Sequence, residues 1–185
     1  MNIVAETWTG KIIDLDNLKP SDIDIVDISH ALSNLCRWNG HGRYFSVAEH
    51  SVIVTSLVPQ ELKIMAALHD GSEAYLGDVV SPVKAQSKGY MALEEKLQSM
   101  IYEYYCGRVP TPIEEDYIHA ADIASRAAEA KVLLKSRGID IPSIKDHMPI
   151  DVEIKCLPPM EAKLEYLELL MSLNIHHQSL EEKQV

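Results

Sequence analysis

The sequence predicts an all-α protein with one short β-hairpin, or extended flap, near its N-terminus. From residue 25 onwards, apolar residues recur at spacings of three and four, which is typical of amphipathic helices. Alternation around a glycine occurs at 6–14, the one segment expected to form a sheet. An alanine-rich run at 120–130 has high helix propensity and small side chains, which favour close packing between helices.

The expected helices are separated by proline and glycine, which end or begin helices for backbone reasons. Pro59 lies between two helices, while Gly107 and Gly138 each follow the end of one. A break at Gly77 and a turn at 81–82 separate two further segments. The predicted helices span 25–37, 47–58, 60–76, 90–105 and 112–135, and a last one begins at residue 159. Residues 176–185 are expected to form a frayed polar tail.

Length and composition narrow the class of protein. A chain of 185 residues suits one compact domain, which we expect to cover 1–185. A formal net charge of -11, without a run of Lys or Arg, gives duplex nucleic acid no basic surface to bind. Three cysteines without CxxC spacing indicate neither a disulfide framework nor a thiolate zinc site. With no leader or membrane-spanning run recognisable, a cytoplasmic location without membrane association is expected.

The most informative segment is 66–78, which sets two carboxylates beside a histidine in apolar surroundings. If 60–76 is helical, His69 and Glu73 are four residues apart and Asp70 and Glu73 are three apart, so all three point into one quadrant. This pattern is typical of a metal site with a catalytic carboxylate beside it.

Two further residues qualify as ligands of the same metal. His50 shares a predicted helical face with apolar residues and should point towards the core. Asp122 lies among alanines, where an unpaired buried carboxylate would cost several kcal/mol. With His69 and Asp70, these residues form a mixed nitrogen and oxygen ligand set. Such a set suits one divalent ion of Mn, Fe, Co, Ni or Zn better than calcium, with Mg as the remaining alternative.

The order of these residues resembles the HD-domain metal-dependent phosphohydrolases, in particular the compact prophage and phage type. Relatives of that type include the bacterial 5'-deoxynucleotidase and the phage dATP triphosphohydrolases. The resemblance extends over about residues 6–135 and is carried by the segments 8–11, 28–38, 45–51, 69–78 and 81–84. It implies an HD-domain helical bundle in which His50, His69, Asp70 and Asp122 hold one divalent metal.

The remaining site residues are expected to serve proton transfer and substrate binding. Glu73 could deprotonate the attacking water or protonate the leaving oxygen if burial raises its pKa. By resemblance, Asp78 contacts the substrate sugar or shares that proton work. The expected substrate contacts are Arg37 and Lys84 at phosphate, Trp38 at the nucleoside, and His41 and Arg43 in a glycine-rich loop.

Each of these substrate contacts has a structural alternative. Arg37 and Trp38 could simply end a helix, with the cation near the helix C-terminus and the indole in the core. Lys84 could be an ordinary solvated lysine. His119 lies three residues before Asp122, so it is either structural or directed at the substrate.

The sequence thus predicts hydrolysis of a phosphoester or phosphoanhydride bond in a small nucleotide, expected to be a 2'-deoxynucleotide. Removal of one phosphate from a monophosphate and release of triphosphate from a dNTP both stay open. The alternative of another class is a non-catalytic, metal-containing nucleotide sensor or interaction module, and hydrolysis of cyclic or alarmone nucleotides is a weaker third. By analogy with relatives, a homo-oligomer, dimer or hexamer, is expected in the cytosol of a bacterium or a phage-infected host.

Overall fold

The computed structural model describes residues 4–175, where eight α-helices follow one two-stranded hairpin. The all-α prediction with a short N-terminal hairpin is therefore confirmed. The hairpin consists of β1 (Val4–Glu6) and β2 (Ile12–Asp14). The helices are α1 (Ile25–Asn34), α2 (Val47–Ser56), α3 (Lys63–Ala67), α4 (Glu73–Leu76), α5 (Ser81–Lys84), α6 (Lys88–Cys106), α7 (Pro112–Leu133) and α8 (Pro159–Ser172).

The hairpin is antiparallel and is tied to the first helix. Val4 pairs with Asp14 across it, and the turn between the strands contains Gly10 at φ +82°. Beside that glycine, Thr9 donates through its backbone N–H and its hydroxyl to the carboxylate of Asp27 on α1, at 2.7 and 2.9 Å. The hairpin predicted at 6–14 therefore forms and lies against the bundle.

The core is formed where α1 and α2 pack against the C-terminal helix α8. Ile28 and Leu32 of α1, Val54 of α2 and Tyr166 and Leu170 of α8 are fully buried in it. Burying such side chains is worth about 1.5–3 kcal/mol each relative to exposure. The last helix, predicted from periodicity alone, is thus an integral part of the core.

Several predicted helix ends are confirmed. Gly107 follows α6 in the left-handed conformation, φ +73°, where a glycine has no Cβ to strain. At the start of α7, Thr111 accepts from the backbone N–H of Glu114, while the Glu114 carboxylate accepts from that of Thr111. Pro112 is the first residue of α7 and Pro159 is the first of α8. The predicted turn at 81–82 is instead the start of the short helix α5.

The single helix predicted at 60–76 is wrong, because α3 ends at Ala67 and α4 starts only at Glu73. The carbonyls that would continue the helix are taken by side chains. The Ala66 carbonyl lies 2.8 Å from His69 Nδ1, the Ala67 carbonyl accepts from the Tyr166 hydroxyl at 2.6 Å, and the Leu68 carbonyl accepts from the Gln98 amide at 2.8 Å. A series of tighter turns replaces the helix. His69 and Asp70 lie in these turns, immediately before α4.

Two predictions concern residues beyond the described range. The frayed tail at 176–185 lies outside the described residues, and a single domain over 1–185 stays a prediction. Within residues 4–175, none of the helices combines the length and the apolar character needed to cross a membrane.

Candidate metal centre and substrate cavity

The structure brings four predicted metal ligands together where α2, α7 and the turns before α4 meet. His50 of α2 is fully buried, and its Nε2 lies 3.3 Å from His69 Nε2 and 3.2 Å from Asp122 Oδ1 of α7. Asp70 Oδ2 lies 3.6 Å from His50 Nε2 and 3.3 Å from His69 Nε2. One donor atom each from His50, His69 and Asp122 lies within 4.8 Å of the other two. Three separate segments of the chain therefore converge on one point.

The hydrogen bonds on the far side of each imidazole leave both Nε2 atoms as electron-pair donors. The Ala66 carbonyl can only accept, so the proton of the His69 ring is assigned to Nδ1, 2.8 Å away. His50 Nδ1 lies 2.6 Å from the Glu129 carboxylate, which assigns its proton in the same way. When both rings are neutral, two imidazole lone pairs and two carboxylates therefore face one another. This donor set fits a divalent cation.

The charges around the cluster also call for a cation. Burial and the neighbouring Arg37 lower the pKa of His50, but the carboxylates of Glu129 and Asp122 outweigh them and raise it to about 9. Burial raises the pKa of Asp122, yet its hydrogen bond to His50 and the charges of His50, His69 and Arg37 hold it well below the usual range. The acceptors therefore hold a positive charge between them, either a proton or a metal ion.

Glu73 lies at the first position of α4, beside this cluster, and is almost completely buried, 6% exposed. Among the described residues, no hydrogen-bond partner reaches its Oε2, and the nearest cation, Lys84 Nζ, is 3.9 Å from Oε1. Burial, followed by the charges of Asp70 and Asp78, raises the pKa of Glu73 to about 10. Glu73 therefore holds a proton at neutral pH, and none of the described residues forms a hydrogen bond with its Oε2.

Asp78 follows Gly77, whose φ of +82° turns the chain sharply after α4. Burial raises the pKa of the Asp78 carboxyl as well. The break predicted at this glycine therefore places a second carboxyl group of perturbed acidity near Glu73.

A cavity of about 570 Å³ opens beside the cluster. The predicted site residues that line it are Arg37, Trp38, Asp70, Glu73, Asp78, Lys84 and Asp122. Arg126 of α7 and the segments 79–82 and 141–143 complete the wall. His41 and Arg43 are exposed and do not line this cavity. His119 is exposed too, and it lines a smaller cavity of about 240 Å³ on the side of His69 and Asp122.

The cations of the larger cavity differ in how far they are neutralised. Arg37 Nε donates to Glu129 at 3.0 Å, and Lys84 Nζ donates to Glu94 at 2.6 Å. Arg126 has looser contacts, 3.4 Å to the Ser143 hydroxyl and 4.0 Å to Asp122. Arg126 is thus the cation of this wall that is least committed to a carboxylate.

Arg37, Trp38 and Lys84 all lie in the cavity wall and take part in polar contacts there. Helix α1 ends at Asn34, so Arg37 and Trp38 lie beyond it and do not form its C-terminus. Trp38 has φ +59° and lies in the cavity wall. Its indole Nε1 donates to Glu129 Oε2 at 3.1 Å. The Lys84 side chain is 27% exposed and ion-paired, so it is not simply solvated.

Glu129 and Arg126 were not identified from the sequence. Both follow Asp122 along α7 at spacings of seven and four residues, which puts all three on one face of the helix. That spacing could have identified Arg126 and Glu129 as neighbours of the site. In an alanine-rich helix, however, charged residues are more often solvated than buried.

Comparison with known proteins places the chain among relatives of mostly unknown activity. No protein-family model matches it. The chain is 38% identical to the uncharacterized protein YfdR of Escherichia coli over 129 residues, which cover 69% of the chain and 71% of YfdR. It is 38% identical to the uncharacterized protein RCAP_rcc00048 of Rhodobacter capsulatus over 136 residues, 66% of the chain and 69% of that protein.

A more distant similarity links the chain to an enzyme. It is 19% identical to the 5'-deoxynucleotidase PM0747 of Pasteurella multocida over 155 residues, which cover 84% of the chain and 73% of that protein. This likeness suggests an HD-type phosphohydrolase. At the higher identities, by contrast, the chain plainly belongs to the family that contains YfdR of Escherichia coli and RCAP_rcc00048 of Rhodobacter capsulatus.

Proposed function

We propose that this protein is an HD-type, metal-dependent phosphohydrolase of small nucleotides, with 2'-deoxynucleotides as the expected substrates. The observation that carries the proposal is the buried carboxyl of Glu73, which has a raised pKa and no hydrogen-bond partner at Oε2 among the described residues. It lies beside four clustered ligand side chains, in the wall of a cavity that also contains three cationic side chains. Perturbed carboxyls in such cavities are typical of proton-transfer sites. The distant similarity to a 5'-deoxynucleotidase supports the nucleotide substrate.

In this proposal, His50, His69, Asp70 and Asp122 hold one divalent metal. When bound, such an ion stabilises negative charge on phosphoryl oxygens and makes water more acidic. Glu129 and the Ala66 carbonyl hold the two imidazoles by Nδ1, so that both Nε2 atoms face the other residues that would bind the metal. The histidines must be neutral at Nε2 to bind, so metal binding releases the proton that His50 would otherwise hold.

Glu73 acts as the proton carrier of the reaction. Hydrolysis forms a bond between phosphorus and the oxygen of water and breaks the bond between phosphorus and the leaving oxygen. Because its raised pKa keeps Glu73 protonated at neutral pH, the carboxyl can give its proton to the leaving oxygen. Its carboxylate can then take a proton from water and return to the starting state. Asp78, whose pKa is also raised, contacts the sugar or shares this proton transfer.

The cavity wall supplies the substrate contacts. Arg37 and Lys84 provide positive charge for phosphate oxygens, and the looser contacts of Arg126 leave its guanidinium available for the same purpose. Trp38 offers an apolar face to the nucleoside. A homo-oligomer and a cytoplasmic location stay predictions.

Identification of the reaction products tests this proposal. The protein is incubated with each dNMP, dNTP, NMP and NTP in the presence of Mn or Co, and the products are separated by chromatography. Nucleoside plus phosphate from monophosphates would identify a 5'-nucleotidase, and nucleoside plus tripolyphosphate would identify a triphosphohydrolase. If metal is bound but no product forms from any of them, the hydrolase proposal is wrong and a nucleotide sensor takes its place.

Glu73→Gln separates catalysis from binding. The amide cannot carry the proton, so turnover should fall by about 10²–10⁴-fold while metal and nucleotide still bind. Glu95→Gln, at an exposed position on α6, is the matched control and should keep full activity. Undiminished turnover in Glu73→Gln would show that another group transfers the proton.

A further inference from the structure

Glu129 is a fully buried carboxylate that accepts hydrogen bonds from side chains of three different segments. Its Oε1 lies 2.6 Å from His50 Nδ1 of α2 and 2.9 Å from the Ser125 hydroxyl, one turn earlier on α7. Its Oε2 accepts from Arg37 Nε at 3.0 Å and from Trp38 Nε1 at 3.1 Å, both in the loop after α1. One oxygen therefore serves the metal ligand, and the other serves the two residues that line the substrate cavity.

Both oxygens of this carboxylate act as acceptors, because Arg37 Nε and Trp38 Nε1 donate to Oε2 and the Ser125 hydroxyl donates to Oε1. A neutral His50 ring therefore carries its proton on Nδ1, 2.6 Å from Oε1, and its Nε2 lone pair faces the other ligands. Carboxylates in this position behind a ligating imidazole orient the ring and make it a stronger ligand.

The other oxygen holds a loop of uncommon backbone conformation. Trp38 and Asn39 have φ values of +59° and +49°, a region that non-glycine residues rarely adopt. The Trp38 ring packs against two buried apolar clusters, one with Phe45 and one with Ala127, and its indole N–H donates to Glu129. A carboxylate of α7 thus contributes to the direction in which Trp38 faces the cavity.

We infer that Glu129 is a positioning residue that couples the metal centre to the substrate-facing pair Arg37 and Trp38. The inference rests on the proposed function for the identity of the two sites, but not on any hydrolytic step. A metal ion bound to His50 would draw electron density from the ring. The Nδ1–H group would then be a stronger hydrogen-bond donor to Glu129. Since Arg37 and Trp38 share that carboxylate, metal binding reaches both of them through it. A carboxylate that served stability alone would leave the two sites independent.

Glu129→Gln tests the coupling, because an amide cannot serve both sides. It keeps one acceptor oxygen and replaces the other by an NH2 donor, and it removes the charge that strengthens the imidazole in either orientation. Affinity for Zn or Mn, measured by equilibrium dialysis on the full chain, should fall by about 10–100-fold. At saturating metal, KM for the nucleotide should still be raised, since Arg37 and Trp38 have lost their charged acceptor.

A spectroscopic readout separates positioning from stability. In ¹⁵N-labelled protein, the two indole N–H signals belong to Trp8 and Trp38, and Trp8→Phe assigns them. Addition of Zn, a diamagnetic ion, should shift the Trp38 indole signal and leave the His50 ring protonated at Nδ1. In Glu129→Gln, the Trp38 signal should change before metal is added, and its response to Zn should shrink.

Glu49→Gln is the matched control. Glu49 is also buried, 3% exposed, and neighbours His50 on α2, but it accepts from the backbone N–H groups of Lys155, Cys156 and Leu157, at 2.8, 3.0 and 2.9 Å. Loss of that carboxylate disturbs a buried hydrogen-bond network of similar size. It should nevertheless leave the metal affinity of the folded protein and the Trp38 signal unchanged.

Unchanged metal affinity together with an unchanged Trp38 signal in Glu129→Gln would overturn the inference. If that variant fails to fold, Glu129→Asp keeps the charge but withdraws the carboxylate by one methylene. Glu129→Asp should bind metal more weakly than the wild-type protein does. Wild-type metal affinity in Glu129→Asp would equally overturn the inference. A wild-type protein that binds metal but hydrolyses no nucleotide would refute the proposed function alone. One that binds no divalent metal would refute both.

Discussion

Glu73→Gln should also make the metal-depleted protein more stable at alkaline pH, because it removes a buried carboxyl that becomes charged. Burial, followed by Asp70 and Asp78, raises the pKa of Glu73 from 4.5 to about 10. The folded protein therefore binds this proton more tightly than the unfolded chain does. The stability that Glu73 contributes is greatest below pH 4.5, its pKa in the unfolded chain. That contribution is lost as the pH rises towards the folded-state pKa.

The structure sets the size of the effect. Each unit of difference between the folded-state and unfolded-state pKa is worth about 1.4 kcal/mol, so a rise from 4.5 to about 10 costs several kcal/mol at pH 9. Oε2 has no hydrogen-bond partner among the described residues, and Lys84 at 3.9 Å offsets only part of the cost of the charge. We expect Glu73→Gln to exceed wild type by about 4–6 kcal/mol at pH 9 and by less than about 1 kcal/mol at pH 5. For a chain of 185 residues, each kcal/mol moves Tm by about 2–4 °C.

The assay is thermal and urea unfolding of chelator-treated protein at pH 5, 7 and 9, with Glu95→Gln as the exposed control. The pKa of His50 is raised to about 9, so stability from His50 is also lost as the pH rises from about 6.5 through 9. The difference between wild type and variant at each pH therefore isolates Glu73. A difference that stays constant from pH 5 to pH 9 would refute the assignment of a raised pKa.

Three other outcomes are expected. Chelation should abolish hydrolysis, and Mn or Co should restore it; activity that survives complete chelation would refute the metal requirement. Arg126→Ala should raise KM about tenfold with little change in kcat, because its guanidinium contributes binding, and Arg126→Lys should lie between the two; equal kinetics in all three would exclude a substrate contact. Tyr166→Phe should lower the free energy of unfolding by about 1–3 kcal/mol in urea, since it leaves the Ala67 carbonyl unsatisfied; an unchanged midpoint would show that water replaces the hydroxyl.

The fold class and several helix ends were predictable because their signals are local. Apolar spacing reports one face of a helix, and Thr111, Pro112 and Gly107 act within one turn of their own positions. The break between α3 and α4 was not predictable. The side chains that take its carbonyls include Gln98 and Tyr166, which lie 30 and 99 residues away from the carbonyls they bond. Local propensity there favours a helix, and tertiary hydrogen bonds override it.

The candidate site was predictable to a similar depth. The sequence indicated that His50 and Asp122 lie in apolar surroundings, where each needs a partner, and the structure places them 3.2 Å apart. Glu129 was missed because its partners are remote, His50 at 79 residues and Arg37 at 92. The position of Glu129 between these partners is visible only when the helices are packed together. The roles of these residues in metal binding and catalysis stay predictions.

The Tyr166 hydroxyl of α8 donates to the Ala67 carbonyl, so the C-terminal helix is connected to the segment that carries the candidate ligands. The motifs that resemble known hydrolases end at about residue 135, which invites a division of the chain into a catalytic part and a dispensable C-terminal helix. Tyr166 contradicts that division, because it helps to interrupt the helix immediately before His69 and Asp70. A fragment that stopped before Pro159 would keep every proposed ligand in its sequence but lose a bond that shapes their segment. The smallest unit that keeps the candidate site intact is therefore expected to include α8.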